Sequence, residues 1–244
     1  MNTQVYAVYT SKGGSGKTTS AVHLAWTSAL LGVPTLLWDL DAQGAASYFL
    51  RHETGTEVSA RKLLAGKRDW VSEVRPTAIG NLALIPCDQS FRHWDTMLQE
   101  QGHARKLLSD WLKPLRQQFG VIFLDCPPGL TLLSEALFRA ADTLVVPVVP
   151  SALGFRTWEQ VRGFVSELDR HPPLLAPFLS MVDRRKGTHR QLLEAPPPGF
   201  LRASVPLLAD IERTLDQSQT RMWRRSRQVS ELYGALWHEI LTIS

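Results

Sequence analysis

Short runs of apolar residues alternate along this chain with longer segments in which apolar residues recur at helical spacing. Within each run the apolar residues are consecutive, which is typical of strands that are covered on both faces of a sheet. The predicted strands span residues 5–9, 35–40, 82–85, 121–124, 143–149, 177–182 and 203–205. Strands and helices in alternation predict an α/β fold with a doubly wound, mostly parallel sheet and helices on both faces.

Helical spacing marks the segments between these strands. A stripe of apolar residues predicts the first helix, and Gly32 with Pro34 ends it. The stripe consists of Val22, Ala25, Trp26, Ala29 and Leu30. Further helices are predicted near residues 101–118, 130–140, 156–169 and 227–241. The weakly patterned stretch 52–80 is interpreted as an irregular segment on the protein surface, with one short helix at 60–64.

The last predicted helix is amphipathic. Its apolar face consists of Val229, Leu232, Tyr233, Leu236, Trp237, Ile240 and Leu241. Such a helix packs on a sheet or lies on a membrane surface, where anionic lipid favours lysines on its polar face. Here the polar face carries Glu231, His238 and Glu239 instead. We therefore expect the helix to pack on the sheet and do not expect a membrane partner.

Composition and length favour one domain that covers residues 1–244. A chain of 244 residues with 44% hydrophobic residues is long enough to bury a substantial core. It contains no run of about 18 apolar residues and reaches a polar loop soon after its start, so we expect a cytoplasmic protein without membrane span or signal peptide. Cys87 and Cys126 lack metal-ligand spacing, which indicates reduced thiols.

The positive charge of the chain is concentrated in one late segment. The formal net charge is +4, and residues 184–227 contain ten basic residues against four acidic ones. Acidic and basic residues balance before position 184. This asymmetry indicates a polyanionic partner, although a solvated arginine-rich face would give the same pattern.

The stretch SKGGSGKTT, residues 11–19, lies between the first predicted strand and the first predicted helix. It matches the phosphate-binding pattern G-x-x-x-x-G-K-[ST], except that Ser11 replaces the first glycine. The glycines allow backbone N–H groups to turn toward phosphate oxygens, and we expect Lys17 to reach the β- and γ-phosphates. Thr18 is expected to bind Mg²⁺ through its hydroxyl. The predicted phosphate-binding residues are Gly13, Gly14, Ser15, Gly16, Lys17, Thr18 and Thr19.

Acidic residues end two of the predicted strands. Asp39 and Asp41 lie at the end of one buried run, and Asp125 lies at the end of another. Ligands of doubly wound sheets bind beyond the carboxyl ends of the strands, so these carboxylates are candidates for holding Mg²⁺ near a phosphate. A strand-end aspartate also serves as a helix or turn cap, and that interpretation stays open for each residue singly.

These motifs carry a resemblance to a known family. KGGSGKTT is similar to the deviant phosphate loop of the ParA/MinD ATPases, DLDAQG to their Asp-x-Asp-Pro-Gln-Gly segment, and LDCPPG to their Asp-x-Pro-Pro switch. Later segments resemble ParA proteins in order and interval, so the resemblance spans most of the chain. Two features depart from the family pattern: Ala42 replaces the usual proline, and the segment at 207–223 is not the common one.

The resemblance implies an ATPase that works as a dimer. Two subunits would close face to face with ATP and Mg²⁺ between them, and Lys12 of one subunit would reach the phosphates of the other. Asp41 would position or activate the attacking water, while Thr18, Asp39 and Asp125 would form the Mg²⁺ and switch network. Met181 and Pro206 would lie around the base. The reaction would convert ATP and water into ADP and phosphate, slowly unless stimulated.

The same resemblance implies partners. The ATP-bound homodimer would bind DNA without sequence preference and associate with the nucleoid, and a ParB-like or other cargo-bound activator protein would stimulate hydrolysis. The basic residues expected to contact DNA are Arg184, Arg185, Lys186, Arg190, Arg221, Arg224 and Arg225. The cargo would be a plasmid, a chromosome or a protein assembly.

Two other functions stay open at this point. A MinD-like positioning ATPase would bind a membrane through the last helix. A regulatory subunit of a secretion or polysaccharide-export complex would keep the fold as a nucleotide-gated dimer with little turnover. The candidate catalytic residues Lys12, Lys17 and Asp41 are all present, which favours an active ATP hydrolase.

Overall fold

The fold is built on a single sheet whose strands alternate with helices along the chain. A computed structural model describes residues 3–50, 69–87, 92–101, 104–168, 172–211 and 226–244. The strands in these ranges are β1 (Gln4–Val8), β2 (Thr35–Asp39), β3 (Arg75–Pro76), β4 (Leu82–Ile85), β5 (Val121–Asp125), β6 (Thr143–Val148), β7 (Leu174–Val182) and β8 (Val205–Pro206).

The strands follow the order β3-β4-β2-β5-β1-β6-β7-β8 across the sheet. Every neighbouring pair is parallel except β3 and β4, which are antiparallel. This confirms the predicted doubly wound, mostly parallel sheet. Parallel strands end at a common edge, and the pairing of β2 with β5 places Asp39 directly beside Asp125 at that edge.

The helices connect the strands and cover the sheet. Within the described residues they are α1 (Lys17–Leu30), α2 (Ala45–Phe49), α3 (Trp94–Gln101), α4 (Ala104–Leu115), α5 (Leu132–Ala140), α6 (Ala152–Ser166), α7 (Gly187–Glu194) and α8 (Arg227–Ile243), with a 3₁₀ turn at Trp70–Glu73. Three short helices, α2, α3 and α7, were not predicted from the apolar pattern. The helix predicted at 60–64 lies outside the described residues.

Capping residues explain where several helices begin. The Ser151 hydroxyl accepts a hydrogen bond from the Gly154 N–H at 3.1 Å, so α6 begins at Ala152, earlier than the predicted start at 156. Ser226 caps α8 in the same way through the Val229 N–H. The end of α1 is marked by Gly32, whose φ of 84° is unfavourable for residues with a β-carbon.

Two apolar cores lie on opposite faces of the sheet. Helices α1, α2 and α8 cover one face, and α3 to α6 cover the other. Trp237 of α8 packs its ring against Tyr6 and Phe123 of the sheet, at centroid distances of 5.0 and 5.4 Å. The apolar face of α8 is therefore used within the fold, as predicted, although Leu241 is 46% exposed rather than buried.

The opposite core contains a cluster of tryptophan rings. Trp70 lies 4.6 Å from Trp38 and 5.2 Å from Trp111, measured between ring centroids, and Trp94 packs beside them. The two cysteines, Cys87 and Cys126, are buried free thiols. None of the helices in the described part of the chain is both long and apolar enough to cross a membrane.

Candidate functional site

The glycine-rich loop connects β1 to the first turn of α1, at the carboxyl edge of the sheet. Gly14 and Gly16 have φ angles of 74° and 86°, in the left-handed region that favours glycine. A β-carbon on Gly16 would also lie 3.1 Å from the Ser180 hydroxyl oxygen. The loop thus needs glycine at position 14 for its backbone conformation, and at position 16 for conformation and for space.

Lys17 lies at the centre of this edge. Its Nζ atom is 3.1 Å from Asp125 Oδ1 and 3.4 Å from Asp41 Oδ2, and its side chain is 9% exposed. Burial alone would lower the pKa of Lys17, but Asp125 and Asp41 raise it by more, so the pKa lies above its usual value. The ammonium group is therefore charged, and it is held at the start of α1.

Asp125 has one oxygen available for a further ligand. Oδ1 accepts from Lys17, whereas Oδ2 is buried and has no hydrogen-bond partner among the described residues. Burial raises the pKa of Asp125, and the charge of Lys17 opposes this rise. A buried carboxylate oxygen without a donor is costly unless a cation or a protonated group reaches it.

These donors fit a magnesium ion bound together with a nucleotide. The Thr18 hydroxyl oxygen lies 3.4 Å from Lys17 Nζ, so Thr18 and the free oxygen of Asp125 flank the same ammonium group. The described residues contain no cluster of three or more His, Cys, Asp or Glu side chains that could cage a metal. Nucleotide-bound Mg²⁺ does not require one, because water and phosphate oxygens supply most of its ligands.

Asp39 is occupied by hydrogen bonds. Its Oδ2 atom accepts from the backbone N–H and from the hydroxyl of Ser47, at 2.8 and 2.7 Å, and its Oδ1 atom accepts from the Asp41 N–H at 3.3 Å. Burial, and then the charge of Asp125, raise the pKa of Asp39. In this arrangement Asp39 holds the backbone of Asp41 and Ser47, and its part in a Mg²⁺ and switch network stays a prediction.

Ser47 is a site residue that the sequence analysis missed. Its hydroxyl donates to Asp39 and accepts from the Cys87 N–H at 3.1 Å, which joins the ends of β2 and β4. Asp41 sits in the turn before α2, where its Oδ1 atom accepts from the Gln43 N–H at 3.0 Å. A serine in a short helix carries no motif signal, so only the structure reveals its contact with Asp39.

Lys12 lies at the surface, in contrast to buried Lys17. It is exposed, and its ammonium group makes no ion pair with any residue that the structure describes. The backbone carbonyl of Lys12 accepts from the Ser15 hydroxyl at 3.2 Å, which holds the loop closed around its own backbone. The two lysines of the loop are thus placed differently: Lys17 points into the site, and Lys12 is free to contact another molecule.

Met181 and Pro206, the two residues predicted to surround the base, lie in one pocket beside the loop. Gly16 and Thr19 of the loop and α1 form its other side. Met181 has a φ of 56°, which is unusual for a residue with a long side chain, and the pairing of β7 with β8 is irregular at this point. Strained backbone of this kind often occurs at binding sites.

Four basic residues of the late segment are exposed on the loop after β7 and in the first half of α7. Arg184, Arg185, Lys186 and Arg190 follow β7 and enter α7. Arg185 donates to both carboxylate oxygens of Asp183 at 2.9 Å, and these hydrogen bonds lower the pKa of Asp183 to about 2.

A buried histidine of α7 holds the start of this basic loop. His189 accepts a hydrogen bond from the Asp183 N–H through Nδ1 at 3.0 Å, and its side chain is buried. The other predicted DNA-contacting residues lie outside the described residues; they are Arg221, Arg224 and Arg225.

Comparison with known proteins identifies similar sequences. The chain matches a family model described as "AAA domain" over residues 3–175. The chromosome partitioning protein ParA from Caulobacter vibrioides is 30% identical over 199 residues, which cover 78% of this chain and 73% of that protein. The sporulation initiation inhibitor protein Soj from Bacillus subtilis is 28% identical over 196 residues, 78% of either chain. An uncharacterized protein from Pseudomonas putida is 32% identical over 148 residues, but the match spans only 56% of its length.

Solved structures with the same fold hold nucleotides. A plasmid partition protein from Borrelia burgdorferi bound to AMPPNP has a TM-score of 0.85 at 20% identity, and the match covers 99% of this chain and 100% of that one. An ATP complex of McdA from Cyanothece gives 0.83 at 21% identity, over 98% and 96%. A cobyrinic acid a,c-diamide synthase from Mycobacterium smegmatis, with ADP and magnesium, gives 0.73 at 25% identity, over 93% and 97%.

Proposed function

This chain belongs to the ParA/MinD family of P-loop ATPases, and on that premise we propose that it is a ParA-type ATPase that positions or segregates a cargo. The observation that carries the proposal is the placement of Lys17 against Asp41 and Asp125, at 3.4 and 3.1 Å. This pairing places an ammonium group, two carboxylates and a glycine loop at one edge of the sheet, which are the groups that phosphoryl transfer would use for the phosphates, Mg²⁺ and the attacking water.

The charges at this edge would make nucleotide binding depend on a cation. Lys17 contacts the carboxylates of Asp41 and Asp125, and Asp39 lies beside Asp125, so the protein side chains alone would repel a polyphosphate. Mg²⁺ bound through Thr18 and Asp125 would neutralise this excess negative charge and that of the phosphates. The backbone N–H groups of the loop and the positive end of α1 would bind the phosphate oxygens, and Lys17 would turn from its carboxylates to the β- and γ-phosphates.

Hydrolysis would need a second subunit. Asp41 is anchored by the Gln43 N–H and lies beside Lys17, so it would orient the water that attacks the γ-phosphate. Lys12 of the facing subunit would stabilise the negative charge that develops on the transferring phosphoryl group, in the manner of an arginine finger. Water and ATP would yield ADP and phosphate, and turnover would be slow until a partner completes the site.

The preference for adenine would come from the pocket between Met181 and Pro206. Its neighbours Gly16 and Thr19 belong to the phosphate-binding loop and α1, so a base in this pocket would lie within reach of bound phosphates. The apolar walls would favour a stacked or packed purine.

Binding to DNA would use the exposed basic loop. Arg184, Lys186 and Arg190 carry charges at the surface, and contacts to phosphates need only charge and reach. Dimerisation would double this surface, so the affinity for DNA would depend on ATP. A protein with these properties would be cytoplasmic and associated with the nucleoid. A ParB-like or other cargo-bound activator would release it by stimulating hydrolysis.

The test is DNA binding as a function of the nucleotide. Binding of the protein to a long DNA duplex of arbitrary sequence is measured at low salt with Mg²⁺ and ATP, with Mg²⁺ and ADP, and without nucleotide. We expect strong DNA binding only in the condition with Mg²⁺ and ATP, and we expect the protein to elute as a dimer from size-exclusion chromatography in that condition. Equal binding in all three conditions would contradict the proposed cycle.

A further inference from the structure

A serine from a distant strand contacts the phosphate-binding loop. The hydroxyl of Ser180, near the end of β7, donates to the backbone carbonyl of Ser15 at 2.9 Å, and Ser180 is 1% exposed. The two residues are 165 positions apart. Ser180 also limits the space at Gly16, where a β-carbon would lie 3.1 Å from its hydroxyl oxygen.

This hydrogen bond acts on one particular peptide group. The carbonyl of Ser15 and the N–H of Gly16 belong to the same planar unit, and in a trans peptide they point in opposite directions. Because the carbonyl is drawn toward Ser180 and β7, the Gly16 N–H points away from β7. This N–H donates to no group among the described residues, although the next N–H groups belong to α1. It is therefore available to a ligand at the start of the helix.

We propose that Ser180 is a positioning residue for nucleotide binding, which fixes the Ser15 peptide group so that the Gly16 N–H faces a phosphate. Without the hydroxyl, the carbonyl would lose a buried donor, and the peptide group could rotate more freely because Gly16, on one side of it, has no β-carbon. Orientation of the N–H before the ligand arrives lowers the entropy cost of binding.

The location of Ser180 suits this role. It lies opposite Val205 of β8, directly before the irregularity in this pairing, so its own backbone is still paired in the sheet. The residue after it, Met181, has a left-handed backbone and lines the predicted base pocket. The end of β7 thus contacts the phosphate-binding loop through Ser180 and lines the predicted base pocket through Met181. Substitutions at these two residues should therefore affect phosphate binding and base binding separately.

The inference rests on the proposed nucleotide binding, and the experiment separates the two. Binding of ADP and of inorganic pyrophosphate, both with Mg²⁺, is measured for the full chain by competition with a fluorescent ADP analogue. Loss of one such buried hydrogen bond predicts that Ser180→Ala weakens ADP and pyrophosphate by a similar factor, roughly tenfold. Pyrophosphate has no base, so its loss of affinity reports on the loop alone.

Variants at the same and at a matched position complete the test. Ser180→Thr keeps the donor and is expected to bind both ligands nearly as the wild type does. Ser180→Cys keeps the shape but donates weakly, so it is expected to resemble Ser180→Ala. Ser28 is an equally buried serine that accepts from the Thr35 hydroxyl at 2.9 Å, and Ser28→Ala is expected to change stability but not affinity.

The possible outcomes are distinct. If Ser180→Ala binds pyrophosphate as the wild type does, or loses no more affinity than Ser28→Ala, the positioning role is refuted. A loss restricted to ADP would also refute it, because the effect would then come from the base pocket. If the wild type binds neither ADP nor pyrophosphate, the proposed function itself fails.

Discussion

Lys17 and Asp125 are 108 positions apart in the chain, yet the ammonium nitrogen of one lies 3.1 Å from a carboxylate oxygen of the other. Both side chains are buried, and they meet because β1 and β5 are neighbouring parallel strands that end at the same edge. Breaking a buried ion pair costs several kcal/mol when the freed charge finds no new partner. We therefore expect a polyphosphate that draws Lys17 away to be accompanied by a cation, or by a proton, for Asp125.

Substitutions of the two lysines of the glycine loop are predicted to have different effects on ATP binding and turnover. Lys12→Ala should retain ATP binding within about twofold, because an exposed lysine adds little to binding within its own subunit. It should lower the ATP turnover rate by at least about a hundredfold, as removal of a charge that stabilises the transition state does. Lys17→Ala should weaken ATP binding as well. The measurements are ATP affinity and steady-state phosphate release with DNA present.

The control for Lys12 is a second exposed lysine. Lys113 is 73% exposed and pairs with Asp110 on α4, away from the loop, so Lys113→Ala should leave turnover unchanged. If Lys12→Ala hydrolyses ATP at the wild-type rate, Lys12 is an ordinary surface residue and the proposed contact across a dimer is wrong.

Removing the carboxylate of Asp125 is predicted to change the dependence on magnesium. Asp125→Asn takes away one negative charge and the free oxygen Oδ2, so ATP binding should be weaker in Mg²⁺ but stronger than wild type in EDTA. The ratio of the two affinities should fall by roughly tenfold or more. Calorimetry with and without Mg²⁺ measures this ratio. Asp110→Asn, at an exposed site, should leave it unchanged; an unchanged ratio in Asp125→Asn would remove Asp125 from the metal site.

The sequence pattern located the ligand-binding edge but not all of its contacts. Buried strands read as unbroken apolar runs, so β2 and β5 were predicted within one residue of their observed bounds, and with them the positions of Asp39 and Asp125. Ser47 and Ser180 were missed because their roles depend on contacts with residues 8 and 165 positions away. A serine has no periodicity or motif that would reveal such a contact.

Short helices and local ion pairs are further features that the sequence pattern could not predict. Helix α2 has five residues, too few for an apolar stripe to repeat, so pattern analysis could not detect it. Among the candidate DNA-contacting residues, the sequence did not distinguish Arg185 from its neighbours. The structure does, because Arg185 is paired with Asp183 through two hydrogen bonds. Charge clusters can be counted from a sequence, but the partners of each charge cannot.

The buried histidine of α1 is predicted to make the fold sensitive to acid. His23 is fully buried between α1 and α8, with its ring stacked on Tyr233 at 4.5 Å, and burial lowers its pKa to about 3 from a usual 6.5. Between these values the unfolded chain binds a proton that the folded protein does not. Stability from this residue is thus complete above pH 6.5 and is lost as the pH falls, by about 1.4 kcal/mol per pH unit.

Two variants isolate this effect in urea unfolding between pH 7 and pH 5. His23→Phe keeps an aromatic ring against Tyr233 but has no titratable group, so its free energy of unfolding should fall less steeply with acid than that of the wild type. His238→Phe removes an exposed histidine of α8 and should keep the wild-type slope. If His23→Phe and the wild type have the same slope, protonation of His23 is not coupled to unfolding.

The basic loop after β7 is predicted to set the salt dependence of DNA binding. Each phosphate contact releases condensed counterions, so loss of one contact lowers the slope of log affinity against log salt by about 0.9 on duplex DNA. Arg184→Ala and Lys186→Ala should each produce this change in the presence of ATP, whereas Arg162→Ala should not, because Arg162 lies on α6 and pairs with Glu159. Arg185 is already held by Asp183, so Arg185→Ala should have a smaller effect.

The slope is measured by titrating salt into the complex of the protein with a labelled DNA duplex. If the double variant Arg184→Ala, Lys186→Ala keeps the wild-type slope, DNA does not contact this loop.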